Sequence, residues 1–251
     1  GTRAFDIGGL AAISDAEYDA LEPVQWPLRT GEQPHEHRFF AQGGFFTPDR
    51  KARLVAPEPP ALSEATSTSH PFRLNTGRIR DQWHTMTRTG LSPRLGVHLP
   101  EPFVEVHPDD ASAAGLGDGG FARVATAHGS CILKVIVSEN QRPGSLFVPI
   151  HWSGETASWA CVGDLVSAQT DPYSGQPEAK ATPATIEPVS FDLRGFARAH
   201  DPVILPEDTW WARVALAGTT EYRLATNRGP MVWHDFAYRW LAKDARLAER
   251  L

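Results

Sequence analysis

The sequence has very little cysteine: Cys131 and Cys161 are the only two among 251 residues. Two thiols are too few for a four-ligand thiolate site or a disulfide framework. Both lie between apolar neighbours, which indicates buried, inert thiols and a reducing compartment. The chain also lacks a secretory signal pattern, and no apolar run approaches the roughly 20 residues of a membrane span. We therefore expect a cytoplasmic protein with no membrane partner.

Positive charge is also in short supply, with 24 Lys and Arg against 30 Asp and Glu, for a net charge of −6. This argues against a nucleic-acid partner, because nucleic-acid binders present a basic face. His35 and His37 alternate in one loop, but no third ligand stands at a recognised spacing, so no metal site is predicted. Glycine and proline are abundant instead, at 21 residues each, which favours a turn-rich β protein over a helical bundle.

Short apolar or alternating stretches predict a mainly β fold, built as a barrel or a sandwich. Six predicted strands span residues 72–75, 103–106, 121–127, 131–137, 145–150 and 184–189. A less regular tail follows, with strands predicted at 211–216 and 221–225 and a final helix from about Asp235 to Leu251. Before the first strand, the sequence predicts a short helix at 14–21 capped by Ser14, a hairpin at 38–46 and a linker at 56–71.

The most informative segment is residues 71–100, which holds five arginines and a single acid, Asp81. The next twenty residues hold five acids and no lysine or arginine. Arginine forks match phosphate bidentately, and Gly77 lets backbone N–H groups approach an anion. Thr76 and Thr85 add hydroxyl donors to this segment. The pattern predicts a site for a polar anionic ligand, and the alternative is a solvated loop with ordinary surface arginines.

Other polar residues leave two interpretations open. His84 beside Trp83 is either a ligand contact or a packing pair, and the same holds for His151 at the end of an apolar strand. His107 is expected to cap the helical turn that begins near Asp109. No nucleophile elbow and no nucleophile–base pair is found, so no catalytic residue is predicted. The residues alone indicate a β-rich anion-binding module.

Two neighbouring motifs resemble a known family. Asn75-Thr76-Gly77-Arg78, followed by DQWHTMTR at 81–88, is similar to the C-terminal domain of molybdopterin oxidoreductases. Further similar stretches follow in the same order: FVEVHPDD at 103–110, FVPIHW at 147–152 and DPYSGQPEAK at 171–180. Within that family, the combination resembles the catalytic subunit of bacterial assimilatory nitrate reductase. The resemblance covers roughly residues 20–190.

This resemblance implies a six-stranded double-psi β-barrel that binds molybdenum bis(molybdopterin guanine dinucleotide), a cofactor shared with domains missing here. The implied division is a leader and linker at 1–66, the barrel at 67–189 and a C-terminal extension of unassigned role at 190–251. At position 163, related enzymes often carry Asn. By matching motifs, the implied cofactor-binding residues are Thr76, Gly77, Arg78, Trp83, His84, Thr85, His151, Gly163 and Lys180.

The resemblance also implies a reaction, the reduction of nitrate to nitrite by a longer parent protein. Partners would be the remaining parent domains and an electron donor. The iron–sulfur cluster of the parent would lie outside this chain, which lacks the cysteine-rich segment. We therefore expect the chain alone to be inactive. The alternatives are the same domain of a formate dehydrogenase, or of another dimethyl sulfoxide reductase-type enzyme, and a self-standing anion-binding module.

Overall fold

The computed structural model describes residues 6–36, 38–201 and 203–229. The chain divides into two compact units between Pro60 and Ala61, within the stretch predicted as a linker. The first unit contains a 3₁₀ turn at Gly8–Leu10 and the helix α1 (Asp15–Asp19). The Ser14 hydroxyl accepts from the Glu17 backbone N–H, while the Glu17 carboxylate accepts from the Ser14 N–H. This capping box is the start signal that the sequence predicts.

The predicted hairpin at 38–46 is wrong, since this part of the described chain forms turns without strands. Gly43 and Gly44 both adopt positive φ angles of 80° and 79°, as a tight hairpin turn would require. However, Phe40 is also left-handed, at φ 58°, and its ring stacks on Phe45 with the centroids 4.6 Å apart. Aromatic contacts close the loop, and an isolated two-stranded ribbon has little stability of its own.

Six strands of the second unit close into a barrel. They are β1 (Phe72–Gly77), β2 (Phe103–Val106), β3 (Phe121–Ala125), β4 (Ser130–Val137), β5 (Ser145–Pro149) and β6 (Thr182–Val189). The order around the barrel is β1-β5-β2-β4-β3-β6. Two pairs, β1 with β5 and β2 with β4, are parallel, and the others are antiparallel. The six-stranded double-psi barrel is thus confirmed.

Short helices cover the connections of the barrel. They are α2 (Pro93–Gly96) and α3 (Pro108–Ala113), with 3₁₀ turns at Thr89–Leu91 and Val162–Leu165. Helix α3 has Pro at its first position, and the His107 ring accepts from the Asp109 N–H, the cap that the sequence predicts. The barrel core contains Leu74, Val104, Val124, Leu133 and Leu146, all with no exposed surface.

The tail after the barrel forms a second, three-stranded antiparallel sheet. Its strands are β7 (Leu193–Ala199), β8 (Trp210–Leu216) and β9 (Thr219–Thr226), in the order β7-β9-β8. The sequence predicts β8 and β9 but not β7. The predicted helix from Asp235 to Leu251 lies outside the described residues.

The tail sheet shares the core of the barrel. Trp210 is fully buried, its indole N–H donates to the Ile132 carbonyl of β4 at 2.8 Å, and its ring meets Phe121 of β3 edge-on at 4.7 Å. Helix α2 also packs on β8, where a Cβ atom at Gly96 would lie only 2.5 Å from Val214 Cγ2. The tail is therefore part of the same packed unit as the barrel.

Two absences hold for the part of the chain that the structure describes. No helix there is long and apolar enough to cross a membrane. In the same residues, no group of three or more His, Cys, Asp or Glu side chains could hold a metal ion.

Candidate anion-binding site

Strand register brings the predicted ligand residues to one end of the barrel, where β1 ends. The parallel register pairs Thr76 with Val148 and Gly77 with Pro149, so Arg78 and His151 follow two adjacent strand ends. Strand β6 begins at the same end, since Thr182 pairs with Leu74 of β1. We call this end, where residues 77–88, 150–152 and 178–182 meet, the site end.

Gly163 lies in a 3₁₀ turn that is held near the site end by a contact with the end of β3. The Thr126 hydroxyl, just after β3, donates to the Leu165 carbonyl of the 3₁₀ turn at 2.9 Å. The end of β3 lies beside the start of β6, because Ala125 pairs with Thr185. Gly163 is exposed in this turn, and a Cβ there would meet only Cys161 Sγ, at 3.7 Å. The position therefore has room for a side chain.

Thr76 and Lys180 tie the segment before β6 to the end of β1. Thr76 is only 2% exposed, and its hydroxyl donates to the Ala179 carbonyl at 2.6 Å. The Lys180 ammonium group donates to the Thr76 carbonyl. The Thr76 hydroxyl is thus committed to the backbone, whereas the lysine ammonium keeps two further donors.

Gly77 is required by packing against β5. A Cβ atom at this position would lie 2.7 Å from Cε2 of Phe147. Real Cβ atoms do not approach an aromatic ring so closely, so any larger residue would displace the ring or the strand. The absence of a side chain at Gly77 thus allows the Phe147 ring to pack closely against the backbone of β1.

The first residues of the loop at 78–88 form an exposed cationic surface. The Arg78 guanidinium carbon lies 5.0 Å from the centre of the Trp83 ring, and the His84 ring meets the Trp83 ring edge-on at 4.5 Å. Trp83 is 51% exposed. Among the described residues, Arg78 has no acidic partner, so the guanidinium fork remains free for a ligand. A free cation on an open aromatic face suits an anionic ligand that also carries planar rings.

His151 lies beneath this loop and is fully buried. Its Nε2 accepts from the Ile79 N–H at 2.9 Å, and its Nδ1 lies 2.6 Å from the His84 carbonyl oxygen. Since a backbone N–H can only donate, Nε2 carries no proton and Nδ1 carries it. Burial lowers the pKa of His151, and the positive Arg78 adds to this, although the bond to the His84 carbonyl opposes it. Both ring nitrogens are engaged by the loop backbone.

The remainder of the loop is held by its own contacts. His84 and Met86 adopt left-handed angles, φ 44° and 63°, and the Met86 side chain is buried. The buried Gln82 accepts from the Thr89 hydroxyl at 2.6 Å, and that hydroxyl accepts from the Trp83 N–H at 3.1 Å. Thr85 lies exposed between the two left-handed residues. The pairing of Gln82 with Thr89 could not be predicted from the sequence, because a seven-residue spacing in a loop carries no periodic signal.

The five arginines of the segment at 71–100 divide into two groups. Arg73 donates to the backbone carbonyls of Glu64 and Ala181, at 2.6 and 2.7 Å. Arg80 binds Asp81 through two bonds of 2.9 Å. With a further hydrogen bond from His98, Arg80 lowers the pKa of Asp81 to about 2. In the described chain, the remaining arginines, Arg78, Arg88 and Arg94, are exposed without an acidic partner.

Comparison with protein families identifies the region of the chain that holds the barrel. Residues 72–183 match the family model of the molydopterin dinucleotide binding domain. This range contains the barrel strands β1 to β5, the start of β6 and all nine predicted ligand residues. The matched part of the chain belongs to the molydopterin dinucleotide binding domain family.

Curated relatives extend the match beyond this domain. A nitrate reductase of Klebsiella oxytoca is 44% identical over 93% of the chain, which covers 26% of that protein. The assimilatory nitrate reductase catalytic subunit of Bacillus subtilis is 31% identical over 74% of the chain, again 26% of its own length. The chain thus spans about a quarter of these relatives.

The fold itself recurs in a solved structure. The acetylene hydratase from Pelobacter acetylenicus superposes with a TM-score of 0.53 at 18% identity, over 71% of this chain and 28% of that one. At this identity, the likeness shows a shared fold and no more.

The donors at the site end fit a molybdopterin dinucleotide. The free Arg78 guanidinium and the Lys180 ammonium match the charge of phosphate groups, and the open Trp83 face matches a planar ring. The buried Thr182 hydroxyl, at the start of β6, has no hydrogen-bond partner among the described residues. The Thr209 hydroxyl and Arg223 Nε of the tail-sheet region also lack a hydrogen-bond partner within the described chain, so the fit rests on the charges of Arg78 and Lys180 and on the open Trp83 ring.

Proposed function

We propose that the chain is the C-terminal cofactor-binding domain of a cytoplasmic molybdenum enzyme that reduces nitrate to nitrite in nitrate assimilation. The observation that carries this is the free Arg78 over the exposed Trp83 at the site end, inside the matched domain. The relatives named as nitrate reductases support the choice of substrate. The cofactor is molybdenum bis(molybdopterin guanine dinucleotide).

The nine predicted residues divide into two roles in this proposal. The first role is binding. Phosphate or other polar groups of the cofactor are bound by Arg78, Lys180 and Thr85, and its planar rings are contacted by Trp83 and His84. Thr76, Gly77 and His151 shape the surface that presents them, and Gly163 leaves open space beside it. When bound, the cofactor supplies the metal at which nitrate is reduced. The residues of the chain bind and orient it and provide no catalytic group.

The proposed parent organisation follows the resemblance. Residues 1–66 lead from a preceding domain, residues 67–189 bind the cofactor, and residues 190–251 extend the domain. The remaining parent domains would complete the cofactor site and hold the iron–sulfur cluster, and an electron donor protein or domain would be a further partner. The 251-residue chain by itself is then expected to produce no nitrite from nitrate with a reduced viologen dye.

The test compares Arg78→Ala with Arg94→Ala in the complete polypeptide. Both changes delete one exposed arginine, but only Arg78 lies over Trp83 at the site end. Losing its charge-assisted bonds should cost about 1.5–3 kcal/mol of cofactor binding, or roughly ten- to hundredfold in affinity. Arg94→Ala should change stability by less than about 0.5 kcal/mol and leave cofactor content unchanged.

Molybdenum content and melting temperature are measured for both variants side by side. Equal molybdenum loss from both would mean that the arginines act only as a diffuse positive field, and would contradict the assignment of Arg78. The substrate is tested in the unmodified polypeptide with nitrate and with formate. Turnover of formate alone would favour the formate dehydrogenase alternative, and anion binding by a chain with no catalytic parent would favour the self-standing module.

A further inference from the structure

One buried ring holds two separate points of the ligand loop. Nε2 of His151 accepts from the Ile79 N–H, next to Arg78, and Nδ1 donates to the carbonyl of His84, next to Trp83. The His151 ring therefore bonds to the backbone at Ile79, just after Arg78, and at His84, just after Trp83. No other side chain in the described part of the chain bonds to both of these backbone groups.

The backbone that carries the His151 ring is held in place by strand pairing. His151 follows β5 (Ser145–Pro149), and the Ile150 N–H donates to the Gly77 carbonyl at 2.9 Å, which continues the pairing of β5 with β1. The ring has no exposed surface, and its neighbour Trp152 is also buried. A side chain buried at a paired strand end has little freedom, so its two nitrogens define fixed positions for Ile79 and His84.

The loop includes a backbone conformation that the His151 ring supports. His84 adopts φ 44°, a left-handed angle that is unfavourable for a residue other than glycine. The His84 carbonyl is the atom that the His151 ring binds, at 2.6 Å. The hydrogen bond thus stabilises the unfavourable turn that places the Trp83 ring against Arg78.

We propose that His151, in its neutral Nδ1-protonated form, is a positioning residue that holds Arg78 and Trp83 in the geometry that binds the cofactor. Only the identity of the ligand rests on the proposed function above. Protonation of Nε2 removes the acceptor for the Ile79 N–H and releases that side of the loop.

The surroundings of the ring favour the neutral form. Among the described residues, the groups whose charges act on the ring are Arg78 and His84, and both disfavour the charged form of His151. Burial and these charges hold the pKa of His151 below its ordinary value, about 6.5. A released loop would let the ring bind a proton more readily, so the stabilisation of the held geometry is complete above about pH 6.5, declines below it, and is lost as pH falls through the lowered pKa of the ring.

Two substitutions separate the two bonds. In His151→Asn the side-chain amide can still reach the His84 carbonyl, as Nδ1 does, but offers no acceptor at the Nε2 position. In His151→Gln the acceptor for Ile79 is kept and the donor to His84 is lost. The matched control is His107→Asn, at the opposite end of the barrel, where asparagine keeps the helix cap.

The first measurement needs no ligand. Long-range ¹⁵N–¹H NMR spectra of the 251-residue chain should show His151 as the Nδ1–H tautomer at pH 7.5. The indole N–H of Trp83 should shift in both His151 variants and not in His107→Asn, with the melting transition still cooperative. An Nε2–H tautomer, or unmoved Trp83 resonances in both variants, would overturn the proposal.

The second measurement uses guanosine diphosphate as the probe, titrated by calorimetry at pH 7.5 and pH 5. Binding to the unmodified chain should weaken in acid, and each His151 variant should bind about tenfold more weakly at pH 7.5 with little further acid loss. Acid weakening that persists in His151→Asn would assign the pH dependence to another group and overturn the proposal. If the unmodified chain binds no nucleotide although the tautomer is as expected, the failure concerns the ligand given by the proposed function and not His151, whose role the NMR shifts alone then decide.

Discussion

Trp210 offers a direct test of whether the barrel and the tail sheet unfold as one unit. The change is Trp210→Phe on β8. It removes the indole N–H that donates to the Ile132 carbonyl at 2.8 Å and leaves a smaller ring against Phe121, where the two ring centres are now 4.7 Å apart. Because Trp210 has no exposed surface, water cannot replace either interaction.

The expected cost follows from these two losses. A buried carbonyl deprived of its donor costs about 1–3 kcal/mol. The cavity left by the smaller ring adds about 1 kcal/mol, since the surroundings of a packed core relax only in part. The free energy of unfolding should therefore fall by about 2–4 kcal/mol, and for a domain of this size the melting temperature should fall by roughly 4–16 °C.

Urea unfolding, followed by far-ultraviolet circular dichroism, measures this cost. The matched control is Trp211→Phe, because Trp211 is the next residue of the same strand but is only half-buried and packs on Tyr222 at 6.5 Å. We expect less than about 1 kcal/mol for the control. An equal loss of unfolding free energy in the two variants would refute the idea that the barrel and the tail sheet share one core. Two separate unfolding transitions, of which only the one with the smaller amplitude shifts in Trp210→Phe, would refute it as well.

Further predictions concern single positions in the same unit. Gly77→Ala should destabilise the chain by about 1–3 kcal/mol in urea unfolding because its Cβ would meet the Phe147 ring at 2.7 Å. Gly163→Asn should change stability by less than about 0.5 kcal/mol, since the position is open; a larger loss would contradict the open geometry. Burial, with the nearby charge of Asp164, raises the pKa of the Cys131 thiol to about 12, so iodoacetamide at pH 8 should leave Cys131 unmodified until urea unfolds the chain. The pKa of Asp81 is about 2, so its carboxylate should stay ionised in the folded chain at pH values well below the ordinary pKa of an aspartate. Its contribution to stability is then present above about pH 4 and lost as pH falls toward 2. NMR titration of the Asp81 carboxyl carbon would show whether protonation occurs near pH 2.

The sequence predicted every strand of the barrel because these strands are short apolar runs bounded by turns. Strand β7 escaped prediction: its segment, LRGFARA, contains a glycine and is mostly exposed, since it is an edge strand that pairs only with β9. Its apolar residues show no clear alternation, so pattern reasoning had no signal to use. The tail sheet as a whole was therefore only partly predictable.

At the site, residue types were predictable but their partners were not. The cluster of five arginines was visible in the sequence, but its division depends on chain segments that are remote in sequence. Arg73 is engaged by Ala181, more than 100 residues away, whereas Arg78 meets no acid in the described chain. His151 was expected to touch a ligand, and instead both its nitrogens bind the loop backbone. Such roles appear only when the barrel register is known.

The parallel pairing of β1 with β5 has a consequence for folding. It brings residues 77–79 beside residues 149–151, about 70 positions later in the chain, with some 65 residues of β2, β3 and β4 and their connections between them. The ligand surface therefore cannot form from a local segment and appears only when the barrel has closed, a step that long-range pairing makes slow. A ligand that binds this surface selects the closed barrel over every partly folded form. Its free energy of binding then adds to the stability of all six strands at once, including those it never touches.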